Sequence, residues 1–520
     1  MQPMETGVLI VGSGVAGGLM AETLLAQGKG PVTALEAGPV VHMRDRRTWL
    51  DYVMAGRLPY DHLGDQPADF TGEGAQPWNI KGGRLFARGG STLHWGGWCP
   101  RMKPEDFELA SRVGKGGLDW PFAYADLAPY YRRAEAWLQV AGDSADMDPP
   151  RKGAYPFEAP AYTKTDGVLI RTLEKLDIRY GHMPISRNGA TANGMPACMT
   201  TGTCAYCPIG GRFTGDQPMD RLARDKRFTL MTGSAVTRLL CDQKRRIEGV
   251  EYLDLKTGQT RQLKAETVIL CAGALEIPKL LLASSNRHWP QGIGNESDQV
   301  GRHLVANPYF YARASKQDNP ERLAEEAHFP TLASRHWDVP AFQREGKFLM
   351  NRAESPLVKL GELMGSDQSP SQIKATLTGQ HVVELAGTMQ TFSYAENRVM
   401  PANGTTRFGL PRTRIVTPVE TVSAAQKATN LARMTHILKT MGYSVLPGGA
   451  GQGAYHQRGD HAMCTTRMSR SPEAGVVDEQ LKVHGTDNLF IVSNSVFPSG
   501  SPANPTLTLV ALAMRCLERM

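Results

Sequence analysis

The chain has 520 residues, of which 41% are hydrophobic and 21% are charged, and its formal net charge is +7. That composition is ordinary for a globular protein, and the length allows two or three domains. The positive charge forms no basic block and no apolar run reaches the roughly 18 residues of a membrane span, so neither nucleic-acid binding nor a transmembrane segment is indicated.

The first predicted elements form a strand–turn–helix–strand unit. Residues 8–11 (VLIV) are a short apolar run that suits a buried strand. Residues 12–17 (GSGVAG) follow at once, residues 19–27 predict a helix, and residues 32–35 predict a second strand that ends at Glu36. A GxGxxG turn between a strand and a helix is the fingerprint of a dinucleotide-binding site.

Each glycine of that turn has a physical reason. Gly12 allows the tight turn, Gly14 lets the backbone approach a pyrophosphate, and Gly17 lets helix and strand pack closely. Glu36 lies 19 residues after Gly17 and can accept a hydrogen bond from a ribose hydroxyl. The alternative is a glycine-rich turn without a ligand.

A second glycine-rich stretch follows at residues 81–97, where six of seventeen residues are glycine. Arginine, histidine and tryptophan distinguish it from a flexible linker. A glycine-dense loop with hydroxyl groups lets the backbone approach a phosphate-bearing ligand. The alternative is a tight loop that packs on the first strand–helix unit.

The next predicted elements give the chain a mixed α/β character. Residues 124–140 have helical spacing, and residues 228–240 and 247–255 alternate in the manner of strands. Residues 267–270 predict a largely apolar strand that turns into a helix near Glu276. In the polar middle region, residues 374–377 and 388–394 are candidate strands, and residues 424–441 are a candidate helix.

Eight cysteines in 520 residues are too sparse for a disulfide scaffold. Three of them, Cys198, Cys204 and Cys207, are clustered, and Pro208 follows the last. Thiolates in such a loop can hold an iron–sulfur cluster. Zinc would need a fourth ligand, and a disulfide between Cys204 and Cys207, or free thiols, is a further alternative.

Taken together, several stretches resemble the glucose–methanol–choline (GMC) flavoenzyme family, in family order. They are the GxGxxG turn with Glu36, and residues 89–92, 120–127, 271–281, 300–304, 461–468 and 488–509. The resemblance implies an α/β protein with a Rossmann-like FAD-binding domain and a sheet-based substrate-binding domain. It implies FAD-binding residues 1–307 with the cysteine loop inserted, a substrate or cap domain at 308–450, and a return to the FAD domain at 451–520.

The resemblance also implies which residues contact FAD. They are Gly12, Gly14, Gly17, Glu36, Gly89, Gly90, Ser91, His94, Val236, Ala272, Asn494, Ser495, Pro505 and Thr506. The backbone of Val236 would contact the adenine. His94 resembles a histidine that some relatives bond covalently to the flavin, although a similar histidine in sugar dehydrogenases holds it without that bond, which is the interpretation favoured here.

The catalytic roles map by the same resemblance onto His461 and Asn504. Oxidation of an alcohol needs a base for the hydroxyl proton, and an imidazole with its ordinary pKa near roughly 6.5 suits this task. A second polar group must hold the substrate oxygen. Asn504 cannot take a proton at neutral pH, which leaves His461 as the base. The alternatives are a structural histidine and an asparagine that only caps the helix starting near Pro505.

The three cysteines sharpen the predicted function. Bacterial flavin sugar dehydrogenases of this family carry a three-iron (3Fe-4S) cluster on three cysteines in this region, with a last spacing one residue longer than here. Such a cluster removes electrons from the flavin singly and indicates a dehydrogenase that feeds an external acceptor such as a cytochrome. The alternatives are a flavin oxidase that produces hydrogen peroxide, and a non-catalytic flavin redox relay.

Among relatives, the short amino terminus, the three-cysteine loop and the His–Asn pair most resemble glucoside 3-dehydrogenase. That enzyme type oxidises the 3-hydroxyl of glycosides and disaccharides. No secretory or twin-arginine segment precedes the first strand. The resemblance therefore implies co-export to the periplasm with a small subunit that bears the signal, and a cytoplasmic location is the alternative.

Overall fold

The structure is a computed structural model that describes residues 4–75, 78–114, 116–201, 203–317, 329–343, 345–352, 367–373, 380–446, 455–456 and 459–520. The strands are β1 Met4–Val11, β2 Val32–Glu36, β3 Phe70–Gly74, β4 Val140–Gly142, β5 Phe157–Glu158, β6 Gly181–His182, β7 Ile185–Ser186, β8 Phe228–Thr232, β9 Ser234–Cys241, β10 Ile247–Asp254, β11 Gln259–Leu270, β12 Tyr309–Gln317, β13 Leu332–Ser334, β14 Phe348–Arg352, β15 Gln380–Met389, β16 Arg398–Thr405, β17 Pro411–Thr417, β18 Ser444–Val445, β19 Tyr455–His456 and β20 Leu489–Ile491. The helices are α1 Val15–Ala26, α2 Arg46–Ala55, α3 Leu109–Val113, α4 Tyr124–Trp137, α5 Lys164–Lys175, α6 Asp216–Leu222, α7 Gly273–Ala283, α8 Ala424–Thr440 and α9 Thr506–Leu517. The interspersed helices and strands confirm the predicted mixed α/β class.

The first sheet contains the predicted dinucleotide-binding unit. Its strand order is β8-β2-β1-β11-β10-β9, and β20 pairs with β11. Strands β8, β2, β1, β11 and β20 are parallel, whereas β10 is antiparallel to both of its neighbours. The predicted strand, helix and strand at the amino terminus are confirmed as β1, α1 and β2. Because the strands are parallel, the carboxyl ends of β1 and β2 meet at one edge of the sheet, where ligands of such folds bind.

One strand prediction in this region is wrong. Residues 228–240, which we predicted as a single strand, form β8 and β9. Gly233 separates them with φ +67°, a left-handed conformation that glycine adopts readily. The chain turns at Gly233, so that β8 pairs with β2 while β9 pairs with β10.

The carboxy-terminal part of the chain packs on this first sheet. β20 extends the sheet beside β11, and α9 lies against α1 and α4. The hydroxyl groups of Tyr131 in α4 and Thr508 in α9 are 2.8 Å apart in the buried interface. Nearly every residue of α9 is buried, which is why this helix is apolar on all sides. The segment that precedes α9 is thereby held against the carboxyl ends of the parallel strands.

The second sheet has the order β18-β12-β15-β14-β13-β6, with β19 beside β12. Alternate residues of β12 and β15, among them Phe310, Ala312 and Leu385, pack into an apolar core with α5 and α8. The opposite face of the same strands carries Tyr309 and Glu384. This alternation is the normal consequence of the two-residue period of a strand.

The predictions for the middle region have different outcomes. The predicted helix is confirmed as α8, where the Ser423 side chain accepts a hydrogen bond from the backbone of Gln426. The predicted strand at residues 388–394 is wrong after Met389, where β15 ends, and the one at residues 374–377 lies outside the described residues. Residues 164–182 contribute α5 and β6 to the second sheet and its core, although they precede residue 308, where we placed the domain limit.

Two small sheets complete the fold. One has the order β16-β17-β3 and the other β5-β4-β7. Within the part of the chain that the structure describes, no helix combines the length and the apolar character needed to cross a bilayer.

Candidate active site

A cavity of about 510 Å³ lies at the carboxyl edge of the first sheet. Its walls come from the GxGxxG turn, the loop at residues 84–98, the start of α7, two residues of the second sheet, and the segments that contain His461 and Asn504. The predicted cofactor residues that line it are Gly12, Gly14, Glu36, Gly90, Ser91, His94, Val236, Ala272, Asn494 and Thr506. Gly17, Gly89, Ser495 and Pro505 are not among its lining residues.

The three glycines of the first turn differ in what surrounds them. A Cβ atom on Gly17 would lie 2.1 Å from the carbonyl oxygen of Gly12, which no side chain could tolerate. Gly12 has φ +99°, and a Cβ atom there would lie 2.8 Å from the carbonyl oxygen of Cys271. On Gly14 the nearest atom would be 4.0 Å away. Gly12 and Gly17 therefore serve the protein's own packing, whereas Gly14 leaves space on the cavity side at the start of α1 for an anionic ligand.

Glu36 is held rigidly at the end of β2. Its carboxylate accepts hydrogen bonds from the backbone of Ser13 at 3.0 Å, the hydroxyl of Ser13 at 2.8 Å and the backbone of Gly38 at 2.9 Å. Burial raises the pKa of Glu36, and these hydrogen bonds lower it in part. Carboxylate oxygens have lone pairs beyond those used here, so the residue can also accept from a ligand hydroxyl in the cavity.

The second glycine-rich loop forms a short 3-10 turn over residues 90–93. Thr92 stabilises this turn, since its hydroxyl donates to the carbonyl oxygen of Gly89 and accepts from the backbone of Gly215, each at 2.7 Å. Gly89, at φ +95°, allows close approach to the backbone of Asp216, where a Cβ atom would lie 2.6 Å away. His94 follows the turn and lines the cavity.

The structure brings the two predicted catalytic residues together. Asn504 Nδ2 lies 3.3 Å from His461 Nε2, although 43 residues separate them in the chain. His461 ends a 3-10 turn at residues 459–461, and the chain after it pairs with the backbone near Val305 and Asn494. Asn504 is 7% exposed and the His461 side chain 12% exposed, so both groups face the cavity with little access to bulk water.

The alternative that Asn504 only caps a helix is wrong. The residue at the amino-terminal cap of α9 is Pro505, and no side chain forms a capping hydrogen bond there. The amide of Asn504 is directed at His461 instead. Ser495, another predicted cofactor residue, accepts a hydrogen bond from the hydroxyl of Thr466 at 2.6 Å and so joins the segment after His461 to the turn at residues 494–496.

Two buried amide oxygens in the cavity wall lack a protein partner. Among the described residues, Asn494 Oδ1 and Asn504 Oδ1 have no hydrogen-bond donor within reach. A buried acceptor without a partner costs about 1–3 kcal/mol. Since both residues line the cavity, a ligand with hydrogen-bond donors would satisfy them, which fits a polar cofactor and a hydroxylated substrate.

Family models support the same grouping of segments. Two models of GMC oxidoreductases match the chain, one over residues 87–309 and the other over residues 394–513. The second match includes both His461 and Asn504. The chain belongs to the GMC oxidoreductase family. The resemblance drawn from the sequence is thereby confirmed.

Full-length relatives agree with this membership. The chain is 26% identical to the fructose dehydrogenase large subunit of Gluconobacter japonicus, over 99% of this chain and 98% of that one. It is 28% identical to 6'''-hydroxyparomomycin C oxidase of Streptomyces lividus, over 98% and 90% of the two chains. Pyridoxine 4-oxidase from Mesorbium loti has a similar structure, with a TM-score of 0.66 at 19% identity over 99% and 98% of the chains.

In this GMC oxidoreductase the predicted metal site is not supported. Cys198 and Cys204 pack in one small apolar cluster with Ile185 and Phe329. Cys207 is a buried free thiol, so the alternative of a disulfide to Cys204 is not formed. Among the residues that the structure describes, no three histidine, cysteine or acidic side chains are arranged to hold a metal ion. The spacing of the cysteines suggested a metal site, whereas the structure shows Cys198 and Cys204 packed against apolar neighbours.

Sequence reasoning missed charged residues in the cavity wall. Arg84 Nη1 lies 2.7 Å and Lys279 Nζ 2.8 Å from Glu276 Oε1. Burial acts to raise the pKa of Glu276, but Lys279 and Arg84 hold it below its usual range. The spacing of Glu276 and Lys279 on a predicted helix was a usable signal, whereas their contact with Arg84 depends on the fold.

Tyr309 and Glu384 were also missed, and both line the cavity. They lie on β12 and β15, in a region without a recognisable motif, and 75 residues separate them in the chain. The alternation of small apolar and polar residues after Tyr309 is a signal for a strand with one polar face.

Proposed function

We propose that this GMC oxidoreductase binds FAD in the cavity and oxidises a hydroxyl group of a sugar or glycoside, with His461 as the base. The observation that carries the proposal is the contact between His461 and Asn504 in the wall of that cavity. Removal of a hydroxyl proton requires a base to take the proton and a polar group to hold the oxygen, and an imidazole and an amide can fill these two roles.

The residues present fit FAD. Gly14 and Gly90 line the cavity and pack closely on each other, so that a pyrophosphate can approach the backbone at the start of α1. Glu36 is fixed where a ribose hydroxyl can donate to it. Asn494 Oδ1 is an acceptor still to be satisfied. When bound, FAD would supply the acceptor for the hydride that leaves the substrate carbon. Release of the flavin by acid precipitation would support the interpretation that His94 forms no covalent bond to it.

The roles of the two catalytic residues differ in chemistry. Asn504 Nδ2 can donate a hydrogen bond to the substrate oxygen, and it cannot accept a proton at neutral pH. His461 Nε2, 3.3 Å from that amide, can take the hydroxyl proton from an oxygen that lies on the cavity side of the pair and contacts both groups. Their low exposure limits water in the site, and this strengthens the hydrogen bonds that orient the substrate.

Relatives support a carbohydrate substrate. They include a fructose dehydrogenase and two enzymes named for aminoglycoside oxidation, 6'''-hydroxyparomomycin C oxidase and paromamine 6'-oxidase. We propose a secondary hydroxyl, at the 3-position, as the reacting group, and a cytochrome as the acceptor. We further propose a small partner subunit that directs the chain to the periplasm, which the description of one relative as a large subunit supports.

The test is anaerobic reduction of the flavin by sugars. The purified holoprotein is mixed with fructose, glucose, lactose, sucrose, trehalose or gluconate, and the loss of flavin absorbance is followed. At least one sugar should reduce the wild-type flavin, and His461→Ala should abolish that reduction while keeping FAD bound. His436→Ala, which changes an exposed histidine of α8, is the matched control. Full reduction in His461→Ala would overturn the assignment of the base, and carbon NMR of the product identifies the oxidised position.

A second candidate function is that of an oxidase, because several relatives are named as oxidases. Hydrogen peroxide formed under air at the rate of sugar oxidation would establish it, whereas a dehydrogenase turns over only with an added dye or cytochrome. The iron–sulfur cluster on Cys198, Cys204 and Cys207 is a hypothesis from their spacing and from the resemblance to sugar dehydrogenases. The thiols give it no geometric support, so no electron-transfer step is assigned to it, and stoichiometric iron and acid-labile sulfide would establish it.

A further inference from the structure

A polar face of the second sheet forms part of the cavity wall. In the antiparallel register of β12 and β15, Tyr309 is opposite Thr388 and Arg313 is opposite Glu384. Because side chains alternate along a strand, these four residues share one face, while Phe310 and its neighbours fill the core on the other. Tyr309 and Glu384 line the cavity, whereas Arg313 is not among its lining residues.

The carboxylate of Glu384 is oriented from two sides. Its Oε1 atom accepts a hydrogen bond from the hydroxyl of Tyr309 at 3.0 Å, and its Oε2 atom accepts one from Nε of Arg313. The guanidinium of Arg313 is fixed in turn, since its Cζ atom lies 4.4 Å from the ring centroid of Tyr311. Glu384 is 16% exposed and Arg313 is 47% exposed, so the carboxylate is the inner member of this pair.

This face lies beside the segment that carries Asn504. The hydroxyl of Thr388 donates to the carbonyl oxygen of Pro502 at 2.8 Å. Just before β12, the amide of Asn307 donates to the carbonyl oxygen of Ala503 at 3.3 Å. Both contacts tie the strands to the two residues that precede Asn504. Tyr309 and Glu384 are therefore at the catalytic end of the cavity.

We propose that Glu384 is a specificity-determining residue that accepts hydrogen bonds from hydroxyl groups of the sugar next to the oxidised carbon. This inference rests on the proposed function and adds the substrate's charge class. A carboxylate is an acceptor only, so it selects donors, and each of its oxygens retains a lone pair beyond the contacts with Tyr309 and Arg313. Because Arg313 balances its charge, the pair favours a neutral sugar over a charged one.

The charge balance leads to opposite expectations for two variants. Glu384→Gln leaves the Arg313 guanidinium without its counter-charge beside the substrate site, which favours an anionic sugar acid. Arg313→Gln leaves the Glu384 carboxylate uncompensated, which favours a cationic amino sugar. The two changes should therefore move the preference between anion and cation in opposite directions.

The experiment compares D-glucose, D-glucosamine and D-gluconate as substrates of the holoprotein at neutral pH and low salt. Glucose should be the best substrate of the wild type. Glu384→Gln should lower kcat/KM for glucose by about tenfold or more, chiefly through KM, because one charged acceptor oxygen is replaced by an amide NH2 that cannot accept from substrate hydroxyls. It should also raise the ratio of kcat/KM for gluconate to kcat/KM for glucosamine, and Arg313→Gln should lower that ratio. Glu73→Gln is the matched control. Glu73 forms an ion pair with Arg414, with 2.9 Å between Glu73 Oε2 and Arg414 Nη2, and neither residue lines the cavity.

The outcomes separate this inference from the proposed function. An unchanged ratio of gluconate to glucosamine in both variants, with the wild-type flavin reduced by a sugar, overturns the role of Glu384 alone. If the wild type binds the sugars without reduction of the flavin, the proposed function fails. In that case, dissociation constants from quenching of tryptophan fluorescence replace kcat/KM in the comparison of gluconate with glucosamine, and they test the role of Glu384 in the same way. Absence of both binding and reduction with all three sugars overturns both.

Discussion

At the scale of the residue, the two catalytic groups have separable contributions. His461 changes its protonation state during the reaction, whereas Asn504 only orients the substrate oxygen through its amide. Loss of the base removes the group that takes the hydroxyl proton, and loss of the amide removes one hydrogen bond to the substrate oxygen. The distance of 3.3 Å between their nitrogen atoms lets one substrate oxygen contact both.

Asn504→Ala should therefore lower kcat/KM by about 10- to 100-fold, the effect of one lost hydrogen bond in a dry site. FAD content should stay unchanged. A sugar should still reduce the flavin at a measurable rate, unlike in His461→Ala, because the base is retained. Stopped-flow measures the rate of flavin reduction in both variants, and absorbance measures their FAD content. Equal rates in Asn504→Ala and His461→Ala would contradict the division of roles.

At the scale of the element, the first turn and α1 combine two functions that can be tested separately. A Cβ atom on Gly17 would collide with the backbone of Gly12, whereas one on Gly14 would meet no atom nearer than 4.0 Å. The sequence analysis assigned both glycines to the cofactor site, and the structure shows that Gly14 lines the cavity whereas Gly17 does not.

Gly14→Ala should fold with nearly wild-type stability as the apoprotein but should bind FAD weakly, because the added methyl group occupies the space of the pyrophosphate. Gly17→Ala should lose both FAD binding and stability, since its methyl group would lie 2.1 Å from the carbonyl oxygen of Gly12. Flavin absorbance and urea unfolding of the two apoproteins make the comparison. Equal stability losses in both variants would contradict this assignment.

A buried ion pair connects distant elements near the catalytic segment. Lys347 Nζ, just before β14, lies 2.7 Å from Asp106 Oδ1 and 3.2 Å from Asp338 Oδ1. The other oxygen of Asp106 accepts a hydrogen bond at 2.7 Å from the hydroxyl of Ser501, three residues before Asn504. The lysine therefore neutralises the carboxylate that anchors the catalytic segment.

Lys347→Met should lower the free energy of unfolding by about 3–5 kcal/mol, because it leaves the buried carboxylate of Asp106 without its ion-pair partner, whereas Asp338 keeps Arg335 at 2.6 Å. Arg414→Met, which removes an exposed ion pair with Glu73, is the control and should change it by less than about 1 kcal/mol. Urea unfolding followed by tryptophan fluorescence measures both. Similar small effects in the two variants would contradict the structural role of Lys347.

At the scale of the whole molecule, stability should depend on pH through His303. This buried residue joins the loop at residues 299–304 to the catalytic segment, with its Nδ1 atom 3.2 Å from Nη1 of Arg467. Burial, together with the charges of Arg467 and Arg302, lowers the pKa of His303 to about 3. The unfolded chain binds a proton near the ordinary value of about 6.5, so the contribution of His303 is complete above that pH and is lost as the pH falls below it.

Between pH 6.5 and pH 5, this difference should lower the free energy of unfolding by about 2 kcal/mol. His303→Gln should flatten that part of the profile, whereas replacement of the exposed His436 by glutamine should leave it unchanged. Urea titrations at several pH values measure the slopes. An identical slope in His303→Gln would show that other groups cause the acid sensitivity.

The sequence alone determined the features that depend on neighbours along the chain. The β1-α1-β2 unit follows from a local alternation of apolar runs and glycines, and α8 follows from its helical period and the Ser423 cap. The family motifs indicated His461 and Asn504, because their chemistry is recognisable in short segments. Where local signals were incomplete, as at Gly233, the strand limits were wrong.

Only the tertiary structure decided which side chains meet. The contact of His461 with Asn504 spans 43 residues, and that of Tyr309 with Glu384 spans 75. Such contacts depend on sheet register and on helix packing, which are properties of distant segments. The cysteines illustrate the reverse case, since their suggestive spacing is not matched by a metal-binding group among the described residues. Spacing limits how far apart side chains can be, whereas burial and packing determine the direction in which each one points.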